Sequence, residues 1–502
     1  MKKLLLFILL ILAIVLSFFV CKSKPAANSD CAPIDLPSQG YPDKYRVIKG
    51  NNTPREGVIV SYKDRQIIIN NATDPDTKKY LIESLGYKSI KKCACAQEYE
   101  LLEIPEDLAS RLSPDGGDVK DPNKGSSGST YVSNYILKDP ATVEQNEGPI
   151  TGYSVQIDTT PIEPAIVKVA IVDSGVDTSK FDISKYLFKN PANSVFCNSL
   201  DPTDQESEYG VNLFSKNDYR LPGGSTQLGG RTVINMDFFY PQPKDIDGHG
   251  SFINMIISGS AQRKNTRIPL QNVYSKNFIE HINVKYARSR DKDCSLFDAI
   301  CGVHYALEKG AKVINASWRT LGKGDYFLKF LQPTLKKLKE KNAILIVAAG
   351  NDYRIDIDGE VKAWPAALSD SRIVAPEYSN HVITVGAWNL ESEEITDFTN
   401  FGQNTVSIYA PGIDIAIPLK QGFQRLIGQG TSYAAPFVTR NVAVLWGLHP
   451  TWTAKEVKES ILNSATTKTI SFTVKDKDEL NRERIQTRTQ VIKILDTSLQ
   501  LH

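Results

Sequence analysis

The fold is decided by Ala165-Ile166-Val167-Lys168-Val169-Ala170-Ile171-Val172, a stretch that is β-branched and nearly continuously apolar. This pattern is typical of a strand that is buried on both faces of a sheet. Helical patterns separate it from later stretches of the same character, which are 311–315, 343–348 and 382–385. Strands that alternate with helices predict an α/β domain with a parallel sheet and right-handed crossovers.

Polar residues stand where sites form in such sheets, just beyond the carboxyl ends of strands. Asp173 directly follows the first strand, His249 lies between two glycines, Asn351 follows a buried strand, and Ser432 opens a long apolar helix. Taken singly, each residue fits a structural role as a cap or turn residue. Together they predict nucleophilic catalysis. A serine hydroxyl needs a base within hydrogen-bond reach to become a nucleophile, and His249 is a good candidate for that base.

The segments around these residues resemble the subtilisin-like serine proteases, in which Asp, His and Ser occur in this order. The motifs are Val172-Asp173-Ser174-Gly175, Asp247-Gly248-His249-Gly250 and Gly430-Thr431-Ser432, the last followed by Ala434-Ala435-Pro436. The likeness runs from about residue 165 to the C-terminus. It implies that residues 165–502 form a subtilisin-like peptidase domain, with a parallel sheet sandwiched by helices, and that the protein is a serine endopeptidase.

The resemblance assigns a role to each polar residue. His249 would take the proton of Ser432 and return it to the leaving amine, while Asp173 would hold the imidazole in the productive tautomer. Asn351 would supply a side-chain donor for the negative charge that develops on the attacked carbonyl, and peptide bonds would be cut through an acyl-enzyme.

Two segments are expected beside the substrate, Ser317-Trp318-Arg319 and Ala349-Gly350. Arg319 stands where the family often has a glycine along the substrate backbone. It either narrows the cleft or favours an acidic side chain, and the sequence leaves both readings open. Together with insertions such as 182–240, predicted to form surface loops, Arg319 also leaves open an alternative function. In that alternative the chain is a catalytically silent peptide-binding protein on the same scaffold.

Residues 46–105 predict a small α+β domain with a β-α-β-β order. Its place ahead of the peptidase domain is similar to the inhibitory propeptides of the family, which implies a zymogen that processes itself. The alternative is a permanent accessory domain. Residues 106–164 are predicted to be a linker and N-terminal extension, because the runs around Ser113 to Gly117 and Gly125 to Ser129 have the composition of flexible loops.

The first 21 residues predict export. Met1-Lys2-Lys3 is a basic start and residues 4–20 are apolar except for one serine, which is the pattern of a secretory signal. Cys21 follows directly and resembles the lipid-attachment site of bacterial lipoproteins; the alternative is an uncleaved anchor with Cys21 incidental. Residues 22–45 are polar and predict a tether. The protein is therefore expected to be exported, and either lipid-anchored to a cell membrane or secreted.

The amino-acid composition limits the classes of partner that are expected. Lys and Arg number 59 against 57 Asp and Glu, so nothing favours nucleic acid as a partner. The expected partners are peptide or protein substrates, the chain's own N-terminal domain, and a membrane through the anchor. Seven cysteines leave six if Cys21 carries lipid, and their pairing stays open. No cofactor is required for the chemistry; the resemblance allows structural calcium, for which no ligands are assigned, and no metal site is predicted.

Overall fold

The computed structural model describes most of the chain from residue 43 to residue 495, and all of this part belongs to one compact unit, Gly40–His502. The described residues are 43–49, 51–53, 57–70, 79–109, 113, 116–121, 125–137, 142–147, 157–158, 164–191, 197, 206–207, 209–213, 227–228, 231–232, 245, 248–263, 273–274, 278–287, 294–420, 424–477 and 483–495. The export signal, Cys21 and most of the predicted tether lie outside them.

The N-terminal region forms a six-stranded antiparallel sheet. Its strands are β1 (Asp43–Ile48), β2 (Val58–Asn70), β3 (Lys88–Lys92), β4 (Tyr99–Glu103), β5 (Gly117–Asp121) and β6 (Gly125–Tyr135). A π-helical turn, Tyr80–Ser84, precedes β3, and a short helix, α1 (Glu106–Ala109), follows β4. The predicted tether therefore ends earlier than expected, since 43–45 belong to β1.

Within the linker and N-terminal extension predicted at 106–164, the expectation of flexible loops is wrong for the residues of β5 and β6. Both strands join the N-terminal sheet, where β6 pairs with β2 and β5 pairs with β6. Glycine and serine are poor strand formers, so their local preference favours a loop. Pairing with β2, whose Ile67, Ile68 and Ile69 are buried, overrides that preference.

The remaining longer strands belong to the second, larger part of the chain. They are β7 (Thr142–Glu147), β8 (Val167–Asp173), β9 (Gly210–Asn212), β10 (Ile279–Lys285), β11 (Val313–Ala316), β12 (Thr320–Lys323), β13 (Ile344–Ala348), β14 (Val361–Trp364), β15 (Val382–Asn389), β16 (Ile408–Pro411), β17 (Ile415–Pro418), β18 (Gln424–Gln429), β19 (Thr466–Lys477) and β20 (Glu483–Ile494). The strands of two residues are Ile157–Asp158, Glu206–Ser207, Gln227–Leu228, Arg231–Thr232, Gln262–Arg263, Val273–Tyr274 and Glu394–Ile395.

The helices of this part are α2 (His249–Ile257), α3 (Leu296–Glu308), α4 (Asp325–Glu340), α5 (Pro376–Ser379), α6 (Thr431–Leu448) and α7 (Ala454–Ser464), with 3-10 turns at Ser184–Tyr186 and Ala366–Ser369.

A mostly parallel sheet forms the centre of the molecule, as the alternating pattern predicts. Its order is β9-β10-β8-β11-β13-β15-β16-β20-β19, and every neighbouring pair from β9 to β20 is parallel. Side chains of β8 alternate between the two helix layers. Val169 and Ile171 pack with α2 and α6, while Ala170 and Val172 pack with α3 and α4. The predicted parallel α/β domain is confirmed.

The N-terminal sheet packs against α3 and α4 of the larger part. The Tyr99 ring lies edge-on to Phe330, with centroids 5.2 Å apart, and its hydroxyl donates to the carbonyl oxygen of Phe330 at 2.8 Å. Tyr135 packs on Phe327. The ammonium of Lys91 lies 2.9 Å from the carboxylate of Asp298. These apolar and polar contacts hold the N-terminal sheet against the larger part of the chain.

One disulfide is present among the described residues, between Cys95 and Cys197. Cys93 and Cys95 lie in the turn between β3 and β4 rather than on a strand, because the two strands meet there as a hairpin. Cys93 is buried and reduced, and its thiol hydrogen-bonds with that of Cys301 on α3. Among the described residues, no helix is long and apolar enough to cross a membrane.

Candidate active site

Asp173 and His249 meet at the carboxyl edge of the central sheet. Asp173 is the last residue of β8 and His249 is the first residue of α2. Nδ1 of His249 lies 2.7 Å from Oδ1 of Asp173, and both side chains are buried. The backbone N–H of Ser174 donates to the same oxygen at 2.8 Å. A carboxylate only accepts, so the neutral ring carries its proton on Nδ1 and Nε2 is the basic nitrogen.

Gly250 makes this pairing possible. A Cβ at this position would lie 2.3 Å from the carbonyl oxygen of Gly175, closer than any real Cβ contact. The glycine after His249 therefore lets the start of α2 press against the loop that carries Asp173.

Ser432 is the second residue of α6 and is fully buried. The ring of its neighbour Tyr433 packs on the ring of His249, with centroids 5.2 Å apart, so the start of α6 and the start of α2 lie side by side. The hydroxyl of Ser317 donates to the carbonyl oxygen of Ser432 at 2.8 Å. The first N–H groups of a helix have no partner within the helix and carry partial positive charge, which favours an anion at this place.

Asn351 is fixed against the residue that precedes Ser432. Its Oδ1 accepts from the backbone N–H of Thr431 at 2.9 Å and from the Thr431 hydroxyl at 2.7 Å. The Thr431 hydroxyl in turn accepts from the N–H of Gly350 at 3.1 Å. Because both bonds use the amide oxygen, the NH2 group is directed away from Thr431. The structure therefore brings all four predicted positions, Asp173, His249, Asn351 and Ser432, to one edge of the sheet.

The predicted substrate segments border this edge in different ways. Ser317, Ala349 and Gly350 are buried beside the Thr431-Ser432 turn. Trp318 points into the core, where its ring packs near Tyr286. The guanidinium of Arg319 forms an ion pair with the carboxylate of Asp352.

Sequence reasoning missed a buried carboxylate that orders the loop before His249. Asp245 accepts from the N–H groups of Gly248 and Ser251 at 3.0 and 2.8 Å, and from the hydroxyls of Ser174 and Ser251. Asp245 lies only four residues before His249, but no local sequence pattern marks its carboxylate as part of the site. Another missed residue is Lys285, whose buried ammonium donates to the carbonyl oxygen of Ser174 at 2.8 Å.

The described residues contain no group of three or more His, Cys, Asp or Glu side chains that could hold a metal ion. Cys301 and His304 lie three positions apart on α3 and therefore share one face of it. His304 is packed against Tyr99 and hydrogen-bonds to Thr334 at 3.1 Å. Burial lowers the pKa of His304 to about 3. Both side chains therefore belong to the interface with the N-terminal sheet.

Comparison with known proteins agrees with this architecture. Residues 165–486 match the family model described as the subtilase family. A subtilase-type proteinase of Schizosaccharomyces pombe is 28% identical over 223 residues, which are 44% of this chain and 41% of the relative. The cell wall-associated protease of Bacillus subtilis is 29% identical over 164 residues, 33% of this chain and 16% of the relative. The chain thus spans less than half the length of these relatives.

Among solved structures, the epidermin leader peptide processing serine protease from Staphylococcus aureus superposes with a TM-score of 0.50 at 16% identity. The likeness covers 80% of this chain and 92% of that one, and it concerns the fold. Together with the family match over the larger part of the sequence, it shows that the chain belongs to the subtilase family and has a subtilisin-like fold.

Proposed function

We propose that the protein is an exported serine endopeptidase that cuts peptide bonds through an acyl-enzyme and processes its own N-terminal region. The observation that carries this proposal is the bond between Asp173 and His249 beside the start of α6, where Ser432 stands. Family membership adds the expectation that peptides or proteins are the substrates.

In the proposed reaction, Nε2 of His249 removes the proton of the Ser432 hydroxyl as the oxygen attacks the substrate carbonyl. The ring becomes positively charged at that moment. The carboxylate of Asp173, 2.7 Å from Nδ1, stabilises this charge because both groups are buried in a medium of low dielectric constant. The same proton then passes from His249 to the leaving amine, which breaks the peptide bond.

Negative charge on the attacked carbonyl would be met by two donors. One is the backbone N–H of Ser432 in the first turn of α6. The other is the side-chain NH2 of Asn351, whose orientation follows from the two bonds that its oxygen accepts from Thr431. Both donors are fixed before substrate arrives, so no reorganisation accompanies the charge. The described chemistry needs no cofactor.

The N-terminal sheet is proposed to be an intramolecular inhibitor. It is docked on α3 and α4 through Tyr99, Tyr135 and Lys91. The strand β7, which follows this sheet in the chain, pairs with β18 from Thr142 opposite Gln429 to Glu147 opposite Gln424. Since β18 leads directly into Gly430-Thr431-Ser432, the N-terminal extension runs along the edge next to the nucleophile.

The same contacts narrow the proposed processing region. The N–H of Leu137 donates to the carbonyl oxygen of Cys294, at the entrance to α3, at 2.8 Å. Thr142 is paired with Gln429, three positions before Ser432. Residues 138–141 connect these two anchored points, so we place the self-cut between Leu137 and Thr142. The alternative, a permanent accessory domain, predicts no cut here.

Export is supported by the disulfide between Cys95 and Cys197, since such bonds persist in oxidising compartments. The basic and apolar N-terminus supplies the signal, and lipid attachment at Cys21 remains part of the proposal.

A fluorophosphonate probe, which reacts only with an activated serine, tests the enzymatic function. We expect labelling of the wild-type protein and none of Ser432→Ala. N-terminal sequencing of the purified wild type is expected to find a new start between residues 138 and 142, and Ser432→Ala is expected to keep its N-terminal region uncut. A folded wild type that resists the probe would instead support a silent peptide-binding protein.

A further inference from the structure

Two segments form the walls next to Ser432. On one side, Ser317 bonds to the carbonyl oxygen of Ser432; on the other, Gly350 bonds to the hydroxyl of Thr431. We infer that, when the attacked carbonyl points its oxygen at Asn351, the side chain on the same residue lies between these walls. The space between them therefore decides which residue can precede the cut bond.

Arg319 crosses that space. Its side chain starts from the Ser317 wall and forms an ion pair with Asp352 on the opposite wall, and the residue is only 4% exposed. A Cβ on Gly350 would lie 2.8 Å from Nε of Arg319 and 2.6 Å from Nδ2 of Asn400. The Asn400 amide donates to the carboxylate of Asp352 at 2.7 Å and to the carbonyl oxygen of Ala349 at 3.0 Å. These bonds fix the position of the Asp352 carboxylate in the ion pair. Arg319 and Asn400 therefore pack directly against the backbone of Gly350.

We propose that the Arg319–Asp352 ion pair makes the enzyme cut after small residues, namely glycine, alanine and serine. The proposal rests on the proposed function and names its substrate class. Large side chains meet the guanidinium. Acidic side chains gain little, because the charge of Arg319 is already balanced by Asp352. Of the two readings that the sequence left open, the narrowed cleft is the one that the geometry favours.

The test compares chromogenic peptides that differ only in the residue before the cut bond: alanine, phenylalanine, lysine or aspartate. For the processed wild type we expect kcat/KM for alanine to exceed that for phenylalanine by about tenfold or more, the scale of discrimination that pocket size provides. The double variant Arg319→Ala/Asp352→Ala is expected to raise the phenylalanine-to-alanine ratio by about tenfold. Arg319→Ala alone uncovers the carboxylate of Asp352, so its gain should be largest for lysine.

Lys323→Ala is the matched control, because Lys323 lies on β12 and pairs with Glu360 away from Ser432. It is expected to keep the wild-type preference. A wild type that reacts with the fluorophosphonate probe but cuts as well after phenylalanine or aspartate as after alanine would overturn the specificity proposal alone. Failure of the probe to react would instead contradict the proposed function, on which the specificity proposal rests.

A second inference comes from the disulfide. Cys95 lies in the β3–β4 turn of the N-terminal sheet, and Cys197 follows β8 in the larger part, 102 positions later. The proposed processing region lies between them in sequence. A cut in this region opens a covalent loop without separating the two pieces.

We infer that the cut N-terminal sheet stays attached until a dithiol reductant frees it. One thiolate of the dithiol attacks the Cys95–Cys197 bond and forms a mixed disulfide, and its second thiol then displaces the protein sulfur. The dithiol loses two electrons and becomes a disulfide, while Cys95 and Cys197 become thiols. Before reduction, the tether keeps the sheet at high effective concentration over α3 and α4, so it continues to inhibit.

The tether is tested without relying on the protein's own activity. Full-length Ser432→Ala is nicked by limited proteolysis between residues 110 and 163, and the fragments are separated in denaturant. One band without reductant and two bands with dithiothreitol are expected, whereas Cys95→Ser/Cys197→Ser should give two bands in both cases. Two bands from unreduced Ser432→Ala would overturn the inference. In the wild type, dithiothreitol is expected to raise peptidase activity, and it should leave the activity of the double serine variant unchanged.

Discussion

Oδ1 of Asp173 lies 2.7 Å from Nδ1 of His249, and this bond joins the end of β8 to the start of α2. Asp173→Asn keeps the shape but removes the charge that balances the imidazolium. We expect kcat for a short peptide substrate to fall by about 10⁴-fold. Self-processing should slow in parallel. Asp182→Asn, a change at an exposed position, is the control and should retain activity. A loss of less than tenfold in Asp173→Asn would contradict the proposed role.

Asn351 offers a test of charge stabilisation. Replacement by leucine removes the NH2 donor and the two bonds from Thr431 to its oxygen. We expect kcat to fall by about 100- to 1,000-fold while KM changes little, because the donor acts on the charged transition state. Thr431→Val separates the two effects, since it removes the hydroxyl that holds Asn351 and leaves the donor in place. Its kcat should lie between those of wild type and Asn351→Leu, and an unchanged kcat in Asn351→Leu would refute the assignment.

Gly250 tests how closely α2 must approach the Asp173 loop. Gly250→Ala places a methyl group 2.3 Å from the carbonyl oxygen of Gly175, so the start of α2 has to shift away. We expect the substitution to lower kcat strongly and the urea midpoint of unfolding only slightly. Gly324→Ala is the matched control, because its Cβ would meet nothing closer than 3.8 Å. Full activity in Gly250→Ala would show that the close approach is not needed.

Two buried histidines predict acid sensitivity. Burial is the main cause that lowers the pKa values of His281 and His304 to about 3 each, with smaller effects of Arg440 and Lys337. Between about pH 3 and pH 6.5 the unfolded chain binds more protons at these sites than the folded chain, so stability must fall as the pH falls through this range.

The urea midpoint of Ser432→Ala, which cannot digest itself, is the measurement. We expect it to drop from pH 7 to pH 4, and His304→Gln should flatten the drop by removing one titrating group. Gly324→Ala, which removes no titrating group, should leave the slope unchanged. A midpoint that stays constant over this range would contradict the expectation.

The central sheet was predictable because local pattern and tertiary environment agree in its strands. The apolar run that became β8 is buried on both faces, so nearly every residue carries the same signal. β5 and β6 could not be found in this way. Their glycines and serines favour loops, and only the partner strand β2, distant in sequence, makes them a sheet.

The residues of the site also differ in whether the sequence alone could predict them. Asp173, His249, Asn351 and Ser432 stand in recognisable local motifs, so the sequence alone was enough to propose them. The partnership of Arg319 with Asp352 needed the fold, because 33 positions separate residues that meet across the cleft. The pairing of Cys95 with Cys197 likewise needed the fold, because 102 positions separate the two cysteines.

The pairing of β7 with β18 has a consequence for kinetics. One edge of a strand accepts a single neighbour, and β7 occupies six register positions of β18, up to Gln429. A strand held by its own chain competes at an effective concentration on the order of millimolar. Long peptides that must extend along this edge should therefore show a lag or a raised KM, whereas small esters that end at the nucleophile should react at once.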